Sequence, residues 1–188
     1  MSFQRTARTL AAAVTLLASF GIVVAHGADN PMVGGAAMFP TKDIIDNAVN
    51  SKDHTTLVAA VKAAGLVDTL KGKGPFTVFA PTNAAFAALP AGTVDTLLRP
   101  ENKGQLTGVL TYHVVAGGLD SAAIATMIAS GGGKATLKTV AGGTLTAWMK
   151  GKDLILTDAK GRSAKVTISN VYQSNGVIHV VDSVLLPG

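Results

Sequence analysis

Two imidazoles stand where apolar side chains are expected. His113 lies in Tyr112-His113-Val114-Val115, and His179 lies in Val177-Ile178-His179-Val180-Val181, runs whose β-branched content predicts interior strands. A histidine so placed can be a metal ligand or an acid–base group if carboxylates converge on it. It can instead be a core residue bonded to a carbonyl, hydroxyl or Asp, since buried polar groups are nearly always paired. The second is expected, because the eleven acids, ten Asp and one Glu, are scattered along the chain. There is no His-Glu-x-x-His and no Gly-x-Ser-x-Gly, and Ser130-Gly131-Gly132-Gly133-Lys134 lacks the spacing of a phosphate loop. Thr82, after Pro81, has no general base nearby to activate it. Its hydroxyl is expected to cap a helix where a strand reverses through Pro81-Thr82-Asn83. Asp182 is expected to be a structural carboxylate that pairs with a backbone amide or a basic side chain. No cofactor or metal is expected, and no catalysis.

The elements that must hold these groups follow from periodicity. Thr41 is read as the cap of a helix over Lys42–Asn50, and Asp53 or Thr55 as the start of a second in which Leu57, Val58, Val61 and Ala64 keep helical spacing. Gly65 lies near its carboxyl end. Phe76–Phe79 alternates as a strand, and a helix carrying Phe86 and Leu89 follows and stops at Pro90. Thr93 caps a short helix, Glu101–Leu110 forms another, and a strand is expected over Tyr112–Val115. Asp120 or Ser121 opens an apolar helix that closes at Gly131. The remainder changes to a period of two, with strands at Ala135–Val140, Thr144–Met149, Asp153–Thr157, Ala164–Val171 and Gly176–Leu186. Asn175-Gly176 is read as supplying the positive φ of a tight reversal. The fold class is α+β with a largely antiparallel sheet.

Arg5 and Arg8 precede an apolar stretch, Leu10–Ala25, that ends in Val23-Val24-Ala25, the pattern of a secretory signal cleaved after small residues. Residues 1–25 are read as that signal, 26–38 as a flexible lead and 39–188 as one domain. An uncleaved membrane anchor is the alternative, since sixteen apolar residues approach the roughly 20 that span a bilayer. Export follows from either. Cysteine is absent, which excludes disulfides, thiolate nucleophiles and Cys-ligated metal. Net charge is +5, or +3 once Arg5 and Arg8 leave. The cations are spread over turns with few aromatics between them, which argues against nucleic acid. Trp148 near a hairpin tip and Tyr172 near a turn are candidate contacts for a partner.

Three segments in fixed order carry a family resemblance: Thr77-Val-Phe-Ala-Pro-Thr-Asn-Ala-Ala-Phe86, Thr111-Tyr-His-Val-Val115 and Asn175-Gly-Val-Ile-His-Val-Val-Asp-Ser-Val-Leu-Leu-Pro187. They resemble the fasciclin (FAS1) domain family over about Phe39–Leu186. The resemblance implies a β-wedge or sandwich with several packed helices, displayed in the periplasm or outside the cell. It implies adhesion to a cell-surface or matrix protein or polysaccharide rather than catalysis; from the signal segment, membrane contact is expected only if that segment stays uncleaved. Some relatives bind carotenoids, so carriage of an apolar small ligand is the alternative function. In some animal members an Asp-Ile pair before the Asn-Gly turn mediates adhesion. Its positions here are Asn170 and Val171, so the carboxylate is missing and apolar contact through Val171 and Tyr172 is what would remain.

Overall fold

The computed structural model describes residues 30–188; the expected signal and its cleavage point lie outside the described residues. Residues expected to be a flexible lead carry regular structure. Strands β1 (Met32–Val33) and β2 (Ala36–Ala37) form a hairpin across Gly34 and Gly35, both at positive φ. Val33 and Met38 are buried in the core. Paired glycines read as linker composition, yet they make a tight reversal here, and two anchoring side chains are too few to show a period. Residues 30–38 are therefore part of the fold and not a flexible lead. Asn47, buried in the helix that follows, holds Phe39 by accepting its N–H at 3.0 Å and donating to its carbonyl at 2.7 Å.

Helix α1 (Ile44–Ala48) is capped by Asp43, whose Oδ1 accepts the Asp46 N–H at 2.8 Å, and not by Thr41. A carboxylate there also meets the positive end of the helix. A 3₁₀ turn over Lys52–His54 leads into α2 (Thr55–Ala64), which Gly65 closes at φ +70°. Helix α3 (Val67–Lys71), which the sequence reading omits, is a single short turn with too few residues for a period. Strand β3 (Phe76–Pro81) turns at Thr82 into α4 (Asn83–Ala87), followed by α5 (Thr93–Leu97) and, after a 3₁₀ turn, α6 (Lys103–Tyr112). Gly92 at positive φ, and not Thr93, precedes α5. Then come β4 (Val114–Ala116), α7 (Ser121–Ser130) with its Asp120 cap, and β5 (Lys134–Lys138), β6 (Thr144–Lys150), β7 (Asp153–Thr157), β8 (Ser163–Gln173) and β9 (Gly176–Val181).

Seven strands form one sheet in the order β4-β3-β9-β8-β7-β6-β5, antiparallel except for the parallel β3–β9 pair. An isolated bridge from Val115 to Thr139 brings its two ends almost into closure. Alternation along β3 and β9 feeds two cores. Val78, Ala80, Ile178 and Val180 meet α1, α2 and α6, while Phe79 and Val181 meet Leu137, Leu145, Leu156 and Ile124 of α7. Burial on both faces explains why β3 and β9 read as continuous apolar runs. Asn175 and Gly176 do not take positive φ. Gly176 is required by proximity, because a Cβ there would lie 2.1 Å from the Phe76 carbonyl oxygen. The Asn175 side chain accepts the Ile44 N–H at 3.1 Å and donates to the carbonyls of Leu70 and Gly72.

Candidate functional site

The sequence places Tyr112 and His113 in a strand, but they end α6: Tyr112 is its last residue and His113 its C-cap. The β-branched pair Val114-Val115 supplies the strand signal, and it starts one residue after the imidazole. From that corner the His113 ring faces inward. Its Nδ1–H donates to the Val109 carbonyl at 2.8 Å, and its Nε2 accepts the Leu185 N–H at 3.0 Å. A carbonyl can only accept and an amide only donate, so this tautomer is fixed by its neighbours. Complete burial holds its pKa down at about 4, against a smaller upward pull from the Val109 bond and Asp158. The ring is neutral, and both nitrogens are spent on joining α6 to the chain's final segment.

Tyr112 is equally committed. Its hydroxyl donates to the Thr144 carbonyl at 2.6 Å and accepts the Ala159 N–H at 3.1 Å, bridging two turns of the sheet. His179 sits on β9, fully buried and stacked on Phe79 with ring centroids 5.6 Å apart. Its Nε2–H donates to the Leu119 carbonyl at 2.8 Å and its Nδ1 faces the Asn170 N–H at 3.4 Å. Desolvation lowers its pKa too. Thr82 Oγ1 accepts the Ala85 N–H at 3.2 Å and caps α4, while Asn83 accepts from Thr56 N–H and donates to the Lys52 carbonyl, fastening α4 to α2. Asp182 accepts the Lys165 N–H at 2.9 Å at an exposed position. Among the described residues no three His, Asp or Glu side chains gather closely enough to hold a metal ion.

The proposed contact pair divides. Val171 is fully buried in the helical core and cannot touch a partner. A register shift between Ile168 and Val171, with Asn170 at φ +60°, turns Val171 inward; a bulge of this kind defeats counting by twos. Asn170 is bound internally, its amide accepting Ser121 N–H at 2.7 Å and donating to Ser121 Oγ at 2.8 Å. Tyr172 is exposed, with its hydroxyl donating to Asp120 at 3.3 Å, and it borders an open groove of about 720 Å³ that also touches Lys71, Lys73 and Asn175. Lys71 is already paired with Asp46 at 2.6 Å and lies 3.6 Å from Asp43. Trp148 is half-buried on β6, its Nε1–H donating to Thr157 Oγ1 at 3.1 Å.

Two groups escape the sequence reading. Asp158 sits in the β7–β8 turn with its side chain buried, accepting from the N–H groups of Lys160, Arg162 and Leu186 and from Arg162 Nε, each within 3.1 Å. Desolvation pushes its pKa up, but these donors outweigh it and leave it lowered. The turn residues around it signal only a loop. His54, amid polar neighbours, gives no signal either. It is buried, its Nδ1 meets Ser51 Oγ at 2.9 Å, its Nε2 has no partner, and it borders an apolar cavity of about 70 Å³ beneath α1 and α2.

The fasciclin domain model matches residues 52–187, and the chain belongs to that family. It is 48% identical over 158 residues to protein sll1483 of Synechocystis sp., covering 83% of this chain and 79% of that one. It is 36% identical over 189 residues to immunogenic protein MPB70 of Mycobacterium bovis, with 95% and 89% covered. It is 33% identical over 168 residues to cell surface glycolipoprotein MPB83 of the same species, with 86% and 69% covered. A solved FAS1 domain pair from the insect cell adhesion molecule fasciclin I matches with a TM-score of 0.54 at 20% identity, over 74% of this chain and 45% of that one. That likeness speaks for the fold alone. The chain spans a little under half of the solved pair.

Proposed function

We propose that this protein is an exported, non-catalytic fasciclin domain that acts through its outer surface, in adhesion or in contact with a cell-surface or matrix component. The observation that carries the reading is the state of the motif side chains. Thr82, Tyr112, His113 and His179 each spend their polar atoms on the backbone of a neighbouring element. No base, nucleophile or ligand set is left among them for chemistry. The relatives' names support placement outside the cytoplasm, since one is a cell surface glycolipoprotein. Deletion of the gene should reduce attachment of cells to surfaces and to matrix, and the purified full chain should retain an envelope or matrix component in a pull-down. Unchanged attachment in the deletion strain would sink the reading.

Carriage of a carotenoid finds no support. The apolar cavity beneath α1 and α2 holds about 70 Å³, under half the ~150 Å³ of an engineered cavity that takes up benzene. A long polyene does not fit within that cavity.

A further inference from the structure

The outer face of β5–β8 is left open, because α7 packs on the opposite side through Ile124 and Ile128. Strand register sets two rows across it. Lys134 stands opposite Trp148, Trp148 opposite Ile155 and Ile155 opposite Lys165; one step along, Thr136, Thr146, Thr157 and Ser163 align in the same order. With strands about 4.8 Å apart, each row is roughly 14 Å long. The second row is made of hydroxyls only. It is joined to the first, since Trp148 Nε1–H donates to Thr157 Oγ1 at 3.1 Å, and Thr157 and Ser163 hydroxyls lie 3.0 Å apart. The half-buried indole is thereby pinned to the sheet at the centre of a wet surface.

Charge on this surface is mostly positive. Strands β5 to β8 carry Lys134, Lys138, Lys150 and Lys165 against a single carboxylate, Asp153. Asp153 is paired with Lys165 at 2.9 Å. Among the described residues no ion pair engages Lys134, Lys138 or Lys150. Lys134 and Lys138 are four residues apart on one strand, hence about 13 to 14 Å, too far to close on one compact anion.

We infer that this face binds an acidic polysaccharide, with Trp148 as the stacking platform, the threonine row as hydroxyl partners, and the spaced lysines meeting carboxylates distributed along the chain. The inference rests on the surface-interaction reading above and names its partner class. The chemistry discriminates among occupants. A sugar ring offers C–H groups to an indole face and hydroxyls to Thr and Lys, which is what the surface presents. A protein interface would need an apolar, desolvated centre, and apart from Trp148 the rows contain only the nearly buried Ile155. Single-stranded nucleic acid would need several aromatic platforms, and the face has one. The groove by Tyr172 is a weaker candidate, since its Lys71 is already neutralised.

Trp148 is the only tryptophan of the chain, so intrinsic fluorescence reports directly on the face. Titration of the full chain with polygalacturonate should give a saturable fluorescence change, abolished at about 0.5 M salt, where the Debye length is only a few Å. Neutral dextran should give none. The variant Lys134→Glu/Lys138→Glu should bind at least about tenfold more weakly, by fluorescence and by affinity electrophoresis, with an unchanged melting temperature. Because β5 lies at the sheet edge, lysines there also deter strand pairing. Glutamate preserves that guard, so a loss of binding reports the sign of the charge. Trp148→Phe should weaken retention in the same gels. No saturation with polygalacturonate, or a double variant that binds as tightly as the parent, overturns the inference. Cells carrying the double variant that attach normally, when deletion abolishes attachment, overturn this face while leaving the surface reading in place.

Discussion

Replacement of His113 by Ala tests whether the family's Tyr-His pair is scaffolding. The substitution removes the donor to the Val109 carbonyl and the acceptor of the Leu185 N–H in one step, at a fully buried position. An orphaned buried backbone group costs about 1–3 kcal/mol, and the vacated ring volume adds a cavity term unless water enters and rebonds the groups. With partial rescue by water, the expected loss is about 2–4 kcal/mol. For a domain of this size each kcal/mol lowers Tm by roughly 2–4 °C, so Tm should fall by about 5 to 15 °C. Urea unfolding followed by circular dichroism should show a lower midpoint with an unchanged slope, as a pure stability change requires. His113→Asn, which can keep a donor near Val109, should recover part of the loss. A His113→Ala protein within about 0.5 kcal/mol of the parent would refute the account, because a surface-like cost means that neither bond matters.

Acid should weaken the fold in a definite window. The folded His113 pKa of about 4 lies below the ordinary imidazole value of 6.5, so the unfolded chain binds more protons between those values. Its contribution is complete above pH 6.5, declines as pH falls towards 4 and is gone below it, about 3 kcal/mol in all. His179 and His54 shift in the same direction and add to the slope, whereas Asp158, lowered from 3.8, is lost only below that range; urea midpoints against pH should therefore be flatter between 6.5 and 4 in His113→Asn. Gly176→Ala should disrupt the β3–β9 junction, since the new Cβ meets the Phe76 carbonyl oxygen at 2.1 Å; a cost below about 1 kcal/mol by urea unfolding would contradict that contact. Val171→Ala should cost about 1–3 kcal/mol and Tyr172→Ala less than about 0.5, since one is fully buried and the other exposed; equal melting temperatures for the two would reverse the assignment of inside and outside.

The pattern of what was legible has a physical source. Where one face of an element is wet, as in β5 and the first part of β6, alternation in the sequence maps onto burial, and β5 to β7 fall within two residues of their predicted bounds. Gly65 and a cap at Asp120 or Ser121, which the structure resolves to Asp120, were legible because their chemistry is local: one αL residue, one carboxylate and an amide three residues on. Three kinds of feature were not. Short elements such as β1, β2 and α3 have no room for a period. Irregular backbone, such as the bulge at Asn170 that turns Val171 inward, breaks the counting on which face assignment rests. Partnerships made across the fold, such as Asn175 with Ile44, Leu70 and Gly72, or Asp158 with Leu186, join residues whose local sequence says only turn.

That division bears on function. The segments that place the chain in its family hold side chains facing inward or capping helices: Thr82, Tyr112, His113, His179 and Asn175 all bond to backbone that would otherwise be left unpaired at a junction between elements. Such groups resist substitution for reasons of folding, because an unpaired buried amide or carbonyl is costly whatever the protein binds. They therefore specify the scaffold and carry no information about the partner. On the proposed surface reading, partner choice resides in side chains whose loss the fold tolerates, and the solvent-facing lysines and hydroxyls of β5 to β8 around Trp148 are of that kind. A set of substitutions confined to the lysines and hydroxyls of those rows should change what is bound while leaving urea midpoints within about 0.5 kcal/mol. Substitutions at the motif residues should do the reverse, lowering the midpoints while surviving folded molecules bind the same ligands.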